Sequence, residues 1–210
     1  MSVQLVSCSH RENMSLTDIV CFCARVSNPT NQMNTETNGR LIQYLIKNHH
    51  WSPFEMVSIC LEITTTRDIA RQMLRHRSFS FQEFSQRYAE VGNSFHPREA
   101  RLQDTTNRQN SLECEDSNLK TEWLEKQNEL ADHSYRMYQW ALDNGIAKEQ
   151  ARAVLPEGMI ESKLYMNGTL RSWIHYIQLR RTQGTQKEHR EIALECAKVI
   201  ETIFPMIREL

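Results

Sequence analysis

Proline and glycine are scarce in this chain, five and six among 210 residues, and nowhere do they gather with serine into a linker. No internal repeat or low-complexity tract occurs either, so the length is most simply one domain, 1–210, with a substantial core. No apolar run is long enough to span a bilayer, and no basic stretch followed by an apolar one opens the chain. The expectation is a soluble cytoplasmic protein without membrane partners. An excess of charge is missing too: 25 Lys and Arg against 26 Asp and Glu leave a net charge of −1. The whole molecule is therefore no polyanion binder, and any basic region must be local. The cysteines Cys8, Cys21, Cys23, Cys60, Cys114 and Cys196 show neither the spacing of a secreted disulfide framework nor that of paired zinc knuckles. Buried reduced thiols account for most of them.

The regular elements alternate between two periods. VQLVSC reads as a strand, and Ser15 with Asp18 caps a helix through Ile19, Val20, Phe22, Cys23 and Val26. Residues 38–48 read as a helix, HHWSPFE as a turn around Pro53, and MVSICLEITTT as a strand with Val57, Ile59, Leu61 and Ile63 alternating. Helical spacing returns from Arg67 to about Leu74, and FSFQEFSQRY alternates as an extended run. Residues 92–118 are polar and read as a loop or mobile segment, either functional or a plain surface insertion. Leu119, Trp123, Leu130, Met137 and Ala141 trace a long helix that stops at Asp143-Asn144-Gly145. A short helix ends at Pro156, and residues 163–181 end in another. Thr185 and Glu188 make a capping box for a last helix burying Ile192, Cys196, Val199 and Ile203. The fold class is α/β or α+β, with helix predominating.

Chemistry concentrates in RHRSFSFQEFSQRY, residues 75–88. Adjacent cations repel, so Arg75, His76 and Arg77 imply an anion among them, or else a solvated turn. Gln72 shares a helix face with Arg75. On a strand, Glu83, Ser85 and Arg87 would project from one face while Phe84 and Tyr88 anchor the other. That face offers an acceptor, a hydroxyl and a forked cation, although the polar side of an edge strand would look the same. Arg152 lies near a helix C-terminus, where a cation is favourable anyway. Arg171 and His175 share a helix face, while Arg180 falls on roughly the opposite side unless the helix has ended. A single-stranded nucleic-acid module built on Phe79, Phe81 and Phe84 is the alternative, disfavoured by the neutral charge and by Glu83. A metal site on His49, His50 and Asp68 or Glu55 is not expected, because neighbouring histidines diverge and the arginines oppose a divalent cation.

The run Arg75-His76-Arg77, Ser80, Ser85 and Arg87, spaced RHR-x2-S-x4-S-x-R, resembles the signature of the flavin-dependent thymidylate synthases. ARVSNP, HHWSPFE, ARAVLP and RSWIHYIQLR are similar to family segments in the same order, so the likeness spans the chain. SFQEFSQRY and EARLQDTTNRQNS resemble viral or phage-like members, which would make a host-cell cytoplasm the setting. The resemblance implies a twisted, mainly antiparallel sheet flanked by helices, and a homotetramer with active sites at subunit interfaces. It implies reductive methylation of dUMP to dTMP, with methylenetetrahydrofolate as carbon donor and FAD, reduced by NADPH, as hydride donor, without a cysteine nucleophile.

By the same resemblance Gln72, Met73, Leu74, Arg75, Glu83, Phe84, Ser85, Gln86, Arg87, Arg152 and Arg180 match nucleotide positions. Ser52, Glu55, Arg75, His76, Arg77, Glu83, Thr169, Arg171 and His175 match flavin positions, with Asn167 competing for the place of Thr169. His50 matches a position near folate and flavin. Arg180 matches the arginine that favours ionisation of the uracil ring. Met56 departs from the family, where many members carry His.

Overall fold

The computed structural model describes residues 1–209, with side chains through Ile207. Four antiparallel strands make the main sheet in the order β1-β2-β6-β3, with β1 at Ser2–Cys8, β2 at Ser58–Thr66, β3 at Phe79–Glu83 and β6 at Glu161–Thr169. The period-two pattern of β2 is realised: Ile59, Leu61 and Ile63 are fully buried and face the core with Leu164 and Met166 of β6. Helices α1 (Leu16–Ala24), α2 (Asn38–Lys47), α3 (Arg67–Met73), α6 (Leu170–Arg180) and α7 (Lys187–Glu201) contribute to that core. Burying such branched and aromatic side chains contributes roughly 1.5–3 kcal/mol each.

Two features of this frame aim the site. Strand β2 runs directly into α3, and β6 runs directly into α6. Because Thr66 pairs with Glu161 and Ser58 with Thr169, the two helices leave the central strands at opposite ends. Their far ends meet where Arg180, the last residue of α6, reaches His76 just beyond α3. The second feature is Gly168 on β6, which lies under the ring of Phe79 in β3. A Cβ there would stand 2.4 Å from a ring carbon. Phe79 in turn packs edge-on against Trp173 and Tyr176 of α6.

A second, smaller core joins α4 (Ser117–Asp143) and α5 (Lys148–Ala151) to the segment around Val91 through Tyr138, Ala141, Leu155 and Ile160. Several sequence expectations are corrected. The extended run at 79–88 is a strand only to Glu83, after which Ser85–Ala89 form a turn, with the Tyr88 and Ala89 amides donating to the Ser85 carbonyl. Its polar face is therefore not a strand face, and Tyr88 is 87% exposed rather than anchoring. The polar segment 92–118 carries a hairpin, β4 (Arg101–Gln103) with β5 (Ser111–Glu113), and Asp104 closes the turn between them by accepting from the Thr106 and Asn107 amides. Turn chemistry and ion pairs order a segment too polar to be ordered by burial.

The helix ending at Pro156 is shorter than its pattern, one α turn followed by a 3-10 turn at Arg152–Val154. No capping box starts α7; its N-cap is Gln186, and Glu188 has been taken by arginines. Among the described residues no helix is long and apolar enough to cross a membrane.

Candidate active site

The site is assembled from helix ends and tight turns. Thr169 caps α6 by accepting from the Ser172 amide at 3.3 Å, which commits its hydroxyl to the helix terminus. Asn167, two residues earlier, is exposed on β6. From the first turn of α6, Arg171 donates to Glu55 of the 3-10 turn Ser52–Met56. One helical turn on, His175 meets the ring of Trp51 edge-on at 4.7 Å. Burial, with Arg171 adding to it, pushes the His175 pKa down, so this imidazole is neutral at pH 7. Glu55, Arg171 and His175 thus lie along one wall, with Ser52 in the same 3-10 turn as Glu55; spacing had put only Arg171 and His175 on a common face.

The RHR turn makes the adjoining wall. Helix α3 stops at Met73, the His76 amide donates back to the Met73 carbonyl at 2.9 Å, and the Ser172 hydroxyl donates to the Ser78 carbonyl at 3.2 Å. The turn is thereby tied to α6. Arg180 Nε donates to His76 Nε2 at 2.9 Å. An Arg N–H can only donate, so His76 Nε2 carries the lone pair and its proton is on Nδ1. Burial, then the Arg180 charge, lowers the His76 pKa. Arg75 and Arg77 are exposed, and among the described residues neither has a carboxylate within ion-pair reach. Arg180 thus rests on a neutral imidazole flanked in sequence by two exposed arginines, and among the described residues none of the three guanidinium groups has a carboxylate partner. A cluster of that kind has the chemistry to hold an anion.

The remaining predicted residues lie in a separate group. Glu83 accepts from the Ser162 hydroxyl at 2.8 Å and faces Arg67 at 3.6 Å. In the following turn Gln86 is buried, yet its Nε2 has no hydrogen-bond partner. Arg87 and Arg152 converge on Glu149, the first through its carboxylate at 3.2 Å and the second through its carbonyl at 3.3 Å. Phe84 is exposed and donates its amide to the Lys163 carbonyl, while Ser85 is exposed. No direct hydrogen bond, ion pair or ring contact among the described residues joins this group to the first. Met73 is fully buried in the core and Leu74 is exposed at the helix end. Met56 and His50 are exposed, the latter against Tyr44 at 5.8 Å.

Gln72, half-buried, has both ends of its amide on the start of α7. It bonds His189 at 3.1 Å and Gln186 at 2.7 Å, both at the start of α7. Sequence reasoning missed these partners because Glu188 was assigned to a cap. The signal available was QKEH, four polar residues at the head of an otherwise amphipathic helix. Gln186 also lines a groove of about 860 Å³ between the hairpin, α4 and the start of α7. None of the sequence-predicted site residues lines that groove.

No metal cluster occurs among the described residues. Fold and site together define an α/β protein in which the ends of α3 and α6 meet at a cationic junction. The family described as "Thymidylate synthase complementing protein" matches residues 12–206. A probable flavin-dependent thymidylate synthase of Paramecium bursaria Chlorella virus 1 is 48% identical over 190 residues, covering 90% of this chain and 88% of that one. The flavin-dependent thymidylate synthase of Synechocystis sp. is 50% identical over 196 residues, 93% and 89% of the two chains. A UMP/dUMP methylase, PolB, of Streptomyces cacaoi, solved with 5-Br dUMP, superposes with a TM-score of 0.85 at 27% identity, over 99% of this chain and 93% of that one. The chain belongs to the flavin-dependent thymidylate synthase family.

Proposed function

We propose that this protein converts dUMP to dTMP by reductive methylation, using methylenetetrahydrofolate for the carbon and FAD, re-reduced by NADPH, for the hydride. The observation that carries this reading is the RHR turn docked on Arg180 through neutral His76, where among the described residues Arg75, Arg77 and Arg180 have no carboxylate partner. Such a junction fits a diphosphate and a nucleotide phosphate side by side. Bound there, the flavin would supply the hydride. Arg75, His76, Arg77, Ser52, Glu55, Arg171 and His175 are the residues that would hold it, with Glu83 and Thr169 serving through the contacts they already make.

Arg180 is the catalytic residue of this reading. Its guanidinium stays protonated at neutral pH and stabilises negative charge developing on the uracil ring, while His76 fixes its plane. Gln72, Arg75, Ser85, Gln86, Arg87 and Arg152 bind the nucleotide, and the unpartnered Nε2 of buried Gln86 is a donor awaiting an acceptor. His50 lies near folate and flavin. No thiolate nucleophile is invoked: burial pushes Cys21 up to about 11 and raises Cys196 further, which keeps both protonated. The two separated groups of site residues support a homotetramer in which the Ser85–Arg87 turn of one copy completes the RHR junction of another.

The test is the visible spectrum of the purified protein, followed anaerobically with NADPH in the presence and absence of dUMP. Oxidised-flavin bands that bleach faster with dUMP are the expected result. A protein that neither carries nor takes up FAD overturns the reading and returns the junction to the nucleic-acid alternative.

A further inference from the structure

The polar residues behind the junction form one directed chain. Arg101, at the start of β4, pairs with Glu188 Oε1, and Arg98 stands 3.8 Å from the same oxygen. Gln186 Nε2 donates to Glu188 Oε2 at 2.9 Å, and Gln72 Nε2 donates to Gln186 Oε1 at 2.7 Å. His189 Nδ1 meets Gln72 Oε1 at 3.1 Å, and His189 Nε2 meets the Tyr176 hydroxyl at 3.1 Å. His189 is completely buried and Glu188 nearly so.

An amide can turn end for end, and an imidazole can carry its proton on either nitrogen. In isolation Gln186, Gln72 and His189 could therefore point either way. An ionised carboxylate can only accept. Gln186 must then show Glu188 its NH2 and show Gln72 its oxygen. Gln72 must answer with NH2, which turns its own oxygen to His189. That oxygen needs the proton on His189 Nδ1, leaving Nε2 to accept from Tyr176. One charge at one end determines every donor and acceptor as far as the aromatic packing beneath His76. It leaves Gln72 with one N–H and one oxygen lone pair for a ligand.

We infer that Glu188 is a positioning residue whose charge, transmitted through Gln186, sets the orientation in which Gln72 meets the nucleotide. The inference rests on the reading above for the last contact only. The reaction's chemistry does not pass through Glu188, so the effect belongs to binding.

The test uses the flavin-loaded enzyme with 15N-labelled histidine. In the unsubstituted protein His189 is expected as a single tautomer protonated at Nδ1. Glu188→Gln keeps the shape but removes the charge. It should populate both tautomers and raise KM for dUMP about tenfold, the worth of one hydrogen bond, with kcat little changed. Arg101→Gln leaves the carboxylate in place, and the single tautomer should survive. A folded Glu188→Gln protein that keeps the single Nδ1-protonated form overturns the proposal. Should Glu188→Gln fail to fold, Gln186→Leu cuts the chain with the Glu188–Arg101 pair intact, and an unchanged single tautomer there has the same force. Mixed tautomers with an unchanged KM support the relay and overturn instead the placing of Gln72 at the nucleotide.

Discussion

His49 and Gly145 occupy the same place in two helix ends. After α2 the His50 amide returns to the Leu45 carbonyl and the His49 amide to Ile46, with His49 at φ 55°. After α4 the Ile146 amide returns to Ala141 and the Gly145 amide to Leu142, with Gly145 at φ 75°. Both are Schellman ends, which ordinarily place glycine at the left-handed residue. A non-glycine residue there costs ~1–2 kcal/mol, partly offset by glycine's greater freedom when unfolded. His49→Gly should therefore stabilise the protein by up to about 1 kcal/mol, and Gly145→Ala should destabilise it by about as much. Urea melts of the two variants, read as shifts of midpoint in opposite directions, check both. At the junction, Arg180→Lys keeps a charge but loses the Nε–H that holds His76. Turnover should fall by ~10²-fold while flavin absorbance is retained; unaltered kcat would exclude Arg180 from the chemistry.

At the scale of elements, the strands and helices with a strong period were legible: β1, β2, α1 with its Ser15–Asp18 capping box, α3 and α6 lie where their patterns put them. The β3 turn, the hairpin and the head of α7 were not, for one shared reason. Each combines a tight turn with charged or amide side chains that find distant partners, as Arg87 finds Glu149 and Arg101 finds Glu188, and neither leaves a period in the sequence. The apolar stripe that marked α4 was read correctly as helix, but of its residues only Ala141 is buried; Leu119, Trp123, Leu130 and Met137 are exposed, and Gln127, Ala131, Ser134 and Tyr138 complete the buried face. Between β3 and β6, adding one methyl at Gly168 collides with Phe79. Gly168→Ala is expected to cost ~1–3 kcal/mol through overpacking, because Phe79 is braced by Trp173 and Tyr176. Thermal unfolding would show it, and an unshifted midpoint would mean that the ring moves without loss.

For the molecule as a whole, acid should be destabilising through His189. Burial, then the charge of Arg180 and, once acid protonates it, that of His76, pushes its pKa from an ordinary 6.5 to about 3. Between those values the unfolded chain binds a proton that the fold does not, so stability is complete above pH 6.5 and falls as pH drops toward 3. The slope from this one group reaches at most ~1.4 kcal/mol per pH unit. Glu188 acts in the same direction: burial alone would raise its pKa, but the hydrogen bonds from Arg101, its own amide and Gln186 hold it low, so its stabilisation is lost only in stronger acid. Denaturant titrations from pH 7 to 4 should therefore be steeper for the unsubstituted protein than for His189→Gln. In the homotetramer proposed above, the exposed apolar side of α4 is the expected contact. Met137→Glu places a charge among exposed apolar residues and should leave a folded protein of lower oligomeric order that has lost most of its turnover, measured by light scattering beside activity. A variant that keeps both mass and activity would place the contact elsewhere.

The RHR-x2-S-x4-S-x-R run and its companion segments identified the family by resemblance, because the order and spacing of such residues are local properties of the chain. The period of each strong helix and strand was equally local. Only the tertiary structure decided that Arg180 leans on His76, that Gln72 bonds His189, and that Glu188 serves Arg101 rather than a helix cap. Hydrogen bonds between side chains some ninety to 120 residues apart depend on where helices end in space, and a carboxylate in a sequence does not state which distant donor will reach it first.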